Sequence, residues 1–373
     1  MELRSARLHE LELELVEPFE TSFGVETTRR FLLVELEAAG GEVGRGECVA
    51  ATEPLYSGES VATAREILTS RFLPDLLRRP VPTPDAFLAS VERYRGHAMA
   101  KAAVETALLD LAARERGVSV SAYLGGGRRR VEVGVSVGIQ RTVPALVRRV
   151  GRYLDDGYRR IKLKVRPGWD VAPVRAVRAE YPDIEIWVDA NQAYPTRAVE
   201  RIRRWADAYH VAQVEQPFAE RAIRAHARLA ADARFRVCLD ESIVDDVSLE
   251  DALEARAITS LNVKTGRVGG ATVGRRLARR AVTAGVPAWV GGMLESGIGR
   301  AHNVHLASLA AFTLPADLSA SDRYYASDIV ETPFVLGPGS RLDVPRGPGT
   351  GVELSERGFR RARRASRSFR RPR

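Results

Sequence analysis

Five polar residues recur at nearly constant intervals: Lys164 in KLKV, Asp189 in WVDAN, Glu215 in QVEQP, Asp240 in CLDES and Lys264 in NVKTG, spaced 25, 26, 25 and 24 residues apart. Each closes a short run rich in β-branched residues, and each interval is about one strand plus one helix. Repeating that unit puts all five side chains at the same end of adjacent parallel strands, the end where barrel enzymes keep their active sites. Asp189, Glu215 and Asp240 would form a cluster of hard oxygen donors that repel one another unless a cation neutralises them. Without His or Cys among them, the set favours Mg2+, with Mn2+ as its substitute, over zinc. The two lysines flank the carboxylates. A substrate carboxylate held at the metal would lie between two amines, and loss of its α-proton would create an enediolate whose charge the cation stabilises. One lysine must be neutral to take that proton. Lys162 lies two residues before Lys164 on the same strand face, and its positive charge favours the neutral amine next to it.

Lysine usage points the same way. Of 57 basic residues only four are lysine: Lys101, Lys162, Lys164 and Lys264. Arginine carries surface charge equally well but does not act as a proton-transfer base. Where an arginine-biased chain keeps lysine at two of these strand ends, as Lys162, Lys164 and Lys264, a deprotonatable amine is one candidate reason.

The elements that must position these groups are readable from periodicity. Strand patterns run over 131–137, 160–165, 185–190, 211–216, 236–241, 260–265 and 287–292, with a weaker eighth at 317–321. Amphipathic helices lie between them, such as 196–210, where Val199, Ile202, Trp205, Ala206 and Tyr209 recur at helical spacing. Seven or eight β–α units predict an α/β fold, a modified (β/α)8 TIM-type barrel. No Gly-x-Gly-x-x-Gly follows a first strand, which argues against a dinucleotide site. Residues 1–125 read as an α+β capping domain and 126–325 as the catalytic barrel. Residues 326–356 read as a segment packing back on the cap, and 357–373 as an arginine-rich disordered tail.

The net charge of +9 is confined to that tail, which holds nine arginines and no acid; the body is neutral. No recognition fold or interleaved aromatic pattern accompanies it, so no specific nucleic-acid partner is expected. No apolar stretch is long enough for a membrane helix. The two cysteines, Cys48 and Cys238, read as buried free thiols of a cytoplasmic protein.

At these motifs the sequence resembles the enolase superfamily, in its branch related to muconate lactonizing enzymes. Lys162-x-Lys164, Asp189 with Asn191, Glu215-Gln216-Pro217, Asp240-Glu241-Ser242 and Lys264 match that branch in order and spacing. Within it, the segment from Gly291 to Asn303, containing Gly292, Met293 and Glu295, looks like o-succinylbenzoate synthases. So do the segments 97–103 and 319–324. The resemblance is to the subgroup in which that activity and N-succinylamino acid racemase activity coexist.

That resemblance implies roles. Lys164 would take the α-proton of 2-succinyl-6-hydroxy-2,4-cyclohexadiene-1-carboxylate and return it to the leaving hydroxyl, giving o-succinylbenzoate for menaquinone synthesis. Lys264 would stay protonated beside the enediolate. In the alternative, racemisation, the two lysines would act as opposed bases. Asp189, Glu215 and Asp240 would hold Mg2+. Backbone N–H groups at Gly292–Met293 would hold the succinyl carboxylate, Ser136 would touch substrate, and Ser22 and Phe23 would belong to the lid. Asn191, Glu241, Glu295 and Arg267 would support the site. The family also implies a homo-oligomer and a small-molecule carboxylate substrate. The Asp-x-Asp of dipeptide epimerases is missing from 317–322. Two positions depart from the family pattern: Thr265 stands where proline is usual, and Arg45 where tryptophan is common. Both bear on lid or site geometry and so on substrate preference.

Overall fold

The computed structural model describes residues 1–371; Pro372 and Arg373, at the end of the arginine-rich tail, lie outside the described residues. The N-terminal unit is an antiparallel meander of β1 (Leu3–Glu20), β2 (Val25–Ala38) and β3 (Val43–Cys48). Alternation along β1 and β2 gives the sheet two apolar faces. Leu11, Leu13, Phe31 and Leu33 join the core shared with the barrel, while Leu8, Leu32, Val34 and Leu36 pack on the cap's own helices. The main one is Ala98–Glu115, whose alanines keep its surface shallow. A Cβ at Gly44 or Gly46 would run into the carbonyls of Ala107 and Ala103 on that helix, so glycine is what allows strand and helix to approach.

The second unit is a parallel seven-stranded sheet. Its strands are β5 (Val135–Val137), β6 (Arg160–Lys164), β7 (Glu185–Asp189), β8 (Gln213–Glu215), β9 (Arg236–Leu239), β10 (Ser260–Val263) and β11 (Ala288–Val290), in simple sequential order. The preceding strand, β4 (Arg130–Glu132), pairs instead with β12 (Arg341–Asp343). The segment 326–356 therefore braces β4, just before the barrel's first strand, as well as reaching the cap, where the Thr350 N–H donates to Asp110 at 2.7 Å.

The expected eighth strand at 317–321 does not form. The chain closes the barrel through isolated bridges, Val133 with Ala316 and Gly291 with Asp317.

The tail also departs from expectation. Residues Glu356–Ala362 are helical, and β13 (Arg363–Arg370) adds to the cap sheet antiparallel to β1, Leu8 opposite Arg367. Its composition suggests disorder because no apolar run is present. The order comes from its partner: β1 offers an open edge and acids at Glu12 and Glu2, which pair with Arg364 (3.2 Å) and Arg371. Phe369 packs on the cap core.

Both cysteines are buried and free. Among the described residues no helix is long and apolar enough to cross a membrane.

Buried glutamates of the cap fasten it to the barrel. Glu105 accepts the N–H groups of Ala271 (2.9 Å) and Thr272 (3.0 Å), the start of a helix with no cap of its own. Glu47 does the same for the helix Gly297–Ala307, accepting from Ser296 N–H and Gly299 N–H, both at 3.1 Å. Burial pushes the Glu47 carboxyl up to about 7; its bonds from Ser296 oppose this and the neighbouring Glu295 adds to it. The folded protein therefore takes up a proton that the unfolded chain, titrating near 4.5, lacks. Stability from this group is full below that value and is lost as pH rises towards 7. Relative to Glu47→Gln, the wild type should lose about 1 kcal/mol per pH unit across that window and then level off. Urea titrations at pH 5, 6 and 8 measure the difference; a difference independent of pH would count against Glu47.

Candidate active site

Register sets the polar residues in rows across the barrel mouth. Ser136 lies opposite Lys162, Lys164 opposite Asp189, and Asp189 opposite Glu215. Asp240 and Lys264 directly follow β9 and β10. All five spaced residues are buried, with Glu215 and Asp240 fully so. Each carboxylate meets a lysine. Lys164 Nζ is 2.6 Å from Asp189 and 2.7 Å from Asn191 Oδ1; Lys162 Nζ is 2.8 Å from Glu215; Lys264 Nζ is 2.7 Å from Asp240.

The electrostatics follow from burial opposed by these contacts. Burial would raise Asp189, but Lys164 and Lys162 hold it below the ordinary carboxylate range. Asp240 is likewise held low, against burial, by Lys264 and Arg267. Glu215 goes the other way: burial and the charge of Asp189 outweigh Lys162 and raise it. Burial, then the charges of Asp240 and Asp189, push Glu241 up to about 8. Burial opposes protonation of Lys264, yet Asp240 outweighs it and Lys264 is held well above the ordinary lysine range.

Above these groups lies a cavity of about 320 Å³ between barrel and cap. Lys162, Lys164, Lys264, Asn191 and Ser136 reach it from below, and Phe23, Tyr56, Met99 and Met293 wall it from above and beside. The loop carrying Phe23 is tied to the barrel by Ser22 Oγ, which donates to Asn191 O at 3.0 Å.

Several residues occupy supporting positions behind this cavity. Arg267 is buried, pairs with Asp240, and donates to Ile243 O at 2.8 Å. Glu241 accepts from Asn191 Nδ2 at 3.2 Å. Glu295 accepts from Met293 N–H and from Asn303 Nδ2, both at 2.8 Å. The Met293 N–H, expected from the resemblance to hold a substrate carboxylate, is thus directed at Glu295 in this structure. Of the departures from the family pattern, Arg45 joins Glu35 (3.0 Å) on the cap sheet and Thr265 bonds Asn303 (2.7 Å). Neither is among the residues that line the cavity. The fourth lysine, Lys101, donates to Tyr94 O at 2.6 Å, away from the site.

Two comparisons cover the two units. The family description "Mandelate racemase / muconate lactonizing enzyme, N-terminal domain" matches residues 4–125, and "Enolase C-terminal domain-like" matches 145–358. An N-succinylamino acid racemase from Amycolatopsis is 46% identical over 94% of this chain and 95% of its own. An o-succinylbenzoate synthase from Geobacillus kaustophilus is 41% identical over 98% of this chain and 96% of its own. The chain belongs to the enolase superfamily, in the o-succinylbenzoate synthase / N-succinylamino acid racemase family. It is an enzyme fold throughout: a superfamily member from Listeria innocua superposes with a TM-score of 0.95 at 35% identity, covering 100% of both chains.

For a superfamily site, the test is whether these residues fit a divalent cation. Among the described residues no three His, Cys, Asp or Glu side chains converge closely enough to hold an ion as they stand. Each carboxylate is instead turned onto an ammonium group. The chemistry of the donor set nevertheless fits: three buried carboxylates on adjacent strands, Glu215 raised by its acidic neighbours, and a buried Glu241 Oε2 with no hydrogen-bond partner.

Three polar neighbours of the site escaped the sequence reading. Asp317 contacts Lys162 (2.9 Å) and Ser136 (2.7 Å). Tyr56 donates to Asp240 at 2.8 Å, and Asn262 donates to Glu215 at 2.6 Å. Only Asn262 had a readable signal, two residues before Lys264 on the same strand face, as Lys162 stands to Lys164.

Proposed function

We propose that the protein is an o-succinylbenzoate synthase, eliminating water from 2-succinyl-6-hydroxy-2,4-cyclohexadiene-1-carboxylate. The observation that carries this is the pair Lys164 and Lys264 facing one cavity across the Asp189–Glu215–Asp240 row. Mg2+ held by that row would supply positive charge for the substrate carboxylate and for the enediolate. Lys164 takes the α-proton as general base, its Nζ fixed by Asn191. The same ammonium then gives the proton to the hydroxyl, which leaves as water while the ring becomes aromatic. Lys264, held protonated by Asp240, stabilises the enediolate as a fixed cation. The Ser22–Phe23 loop excludes bulk water.

A second reading, N-succinylamino acid racemisation, is supported by the higher identity to the Amycolatopsis racemase than to the Geobacillus synthase. There Lys164 and Lys264 would act from opposite faces, one removing the α-proton and the other delivering one. Purified protein should be assayed with the cyclohexadiene substrate and with N-succinyl amino acids side by side. Turnover should vanish with chelator and return with Mg2+. A folded protein that turns over neither substrate with Mg2+ would overturn both readings.

A further inference from the structure

Ser136 and Asp317 form a unit that the spacing of the five site residues does not include. Ser136 projects from β5 into the barrel, opposite Lys162 on β6, and lines the cavity with Lys164 and Lys264. Its hydroxyl donates to Asp317 Oδ2 at 2.7 Å. Asp317 Oδ2 also receives Lys162 Nζ at 2.9 Å, and Asp317 Oδ1 receives Arg160 Nη1 at 3.1 Å. Arg160 is itself fixed, stacked 4.5 Å over the Trp187 ring and donating to Ala316 O at 2.8 Å. Burial alone would raise Asp317, but the Lys162 and Arg160 cations hold its carboxyl well below the usual range.

An ionised carboxylate only accepts hydrogen bonds, whereas a hydroxyl has one proton and two lone pairs. With its single proton directed at Asp317, Ser136 has only lone pairs left for the cavity. We infer that Asp317 makes Ser136 an obligate acceptor, so that the site reads a hydrogen-bond donor carried next to the substrate's α-carbon, the amide N–H of an N-acyl amino acid. This rests on the racemase reading above and names the feature of the substrate that the site selects. Asp317 is a positioning residue here: it touches Ser136 and acts on substrate through it. An ester oxygen in place of the N–H would bring lone pair against lone pair, losing the hydrogen bond and adding repulsion.

The test compares N-succinyl-phenylalanine with O-succinyl-phenyllactate, which differ at that one atom, by calorimetric binding to the full chain with Mg2+ present. The wild type should bind the amide about ten-fold or more tightly than the ester. Ser136→Ala should bring the two within about three-fold, mainly by weakening the amide. Asp317→Asn, whose amide can donate to Ser136 and free its proton, should shift preference towards the ester. If Asp317→Asn does not fold, the wild-type and Ser136→Ala ratios still decide. Equal binding of amide and ester by the wild type would overturn the inference alone, as would Ser136→Ala weakening both equally. Failure of both compounds to bind a folded, Mg2+-supplied protein would overturn the substrate reading and the inference with it.

Discussion

Lys164→Arg should lower kcat by about 10⁴-fold on the synthase substrate and leave the fold intact. Arginine keeps the positive charge that Asp189 meets at 2.6 Å, so the buried ion pair survives, and only the capacity to give up a proton is lost. Thermal melting checks the first half and steady-state kinetics the second. The companion substitution Lys264→Arg separates the two readings. In the dehydration Lys264 serves as a fixed cation, so arginine there should cost far less than at Lys164. In racemisation both lysines must exchange protons, and both arginine variants should be equally inactive. Solvent deuterium exchange with single enantiomers sharpens this: Lys164→Ala should abolish α-proton exchange from one enantiomer and Lys264→Ala from the other. Near wild-type turnover by Lys164→Arg would remove it from the chemistry altogether.

What the sequence made legible follows from how parallel barrels are built. One strand and one helix per interval fixes both the order of the strands and the end at which their last residues emerge. Lys164, Asp189, Glu215, Asp240 and Lys264 could therefore be assembled from spacing. Two of the residues that escaped, Tyr56 and Asp317, are joined to the site by contacts no local period encodes. Tyr56 sits in a cap loop 184 residues from Asp240. Asp317 follows Pro315, in a stretch that closes the barrel by single bridges and so carries no strand pattern. The arginine-rich tail misled for a related reason. Its own composition holds too little apolar surface to order it, but β1 supplies the missing half: an unpaired edge and, in Glu12, an acid within reach of Arg364. Arg267 was legible only through the family resemblance; its partner Asp240 lies one strand–helix unit away.

Glu215→Gln should separate metal affinity from stability. Glu215 is fully buried, and burial together with Asp189 raises its pKa, so its charged form is disfavoured while only lysines neutralise the site. Glutamine has the same shape and keeps an oxygen for Asn262 Nδ2, now 2.6 Å away. Lys162 would lose one partner but retain Asp317 at 2.9 Å and Asp189 at 3.5 Å. In metal-free buffer the variant should therefore be as stable as the wild type or more so. Mg2+ reverses the order. Changes behind a metal ligand already weaken binding by 10- to 100-fold, so removing a ligand's charge should raise the Mg2+ Kd by about 100-fold or more. Because a cation that binds only the folded state stabilises it by mass action, Mg2+ should raise the wild-type melting temperature and leave the variant's almost unmoved. Calorimetric titration with Mg2+ and melts with and without it read both halves. An unchanged Kd would remove Glu215 from the ligand set. Unchanged affinity in Asp189→Asn and Asp240→Asn as well would mean that the lysines, rather than a cation, are the permanent partners of these carboxylates.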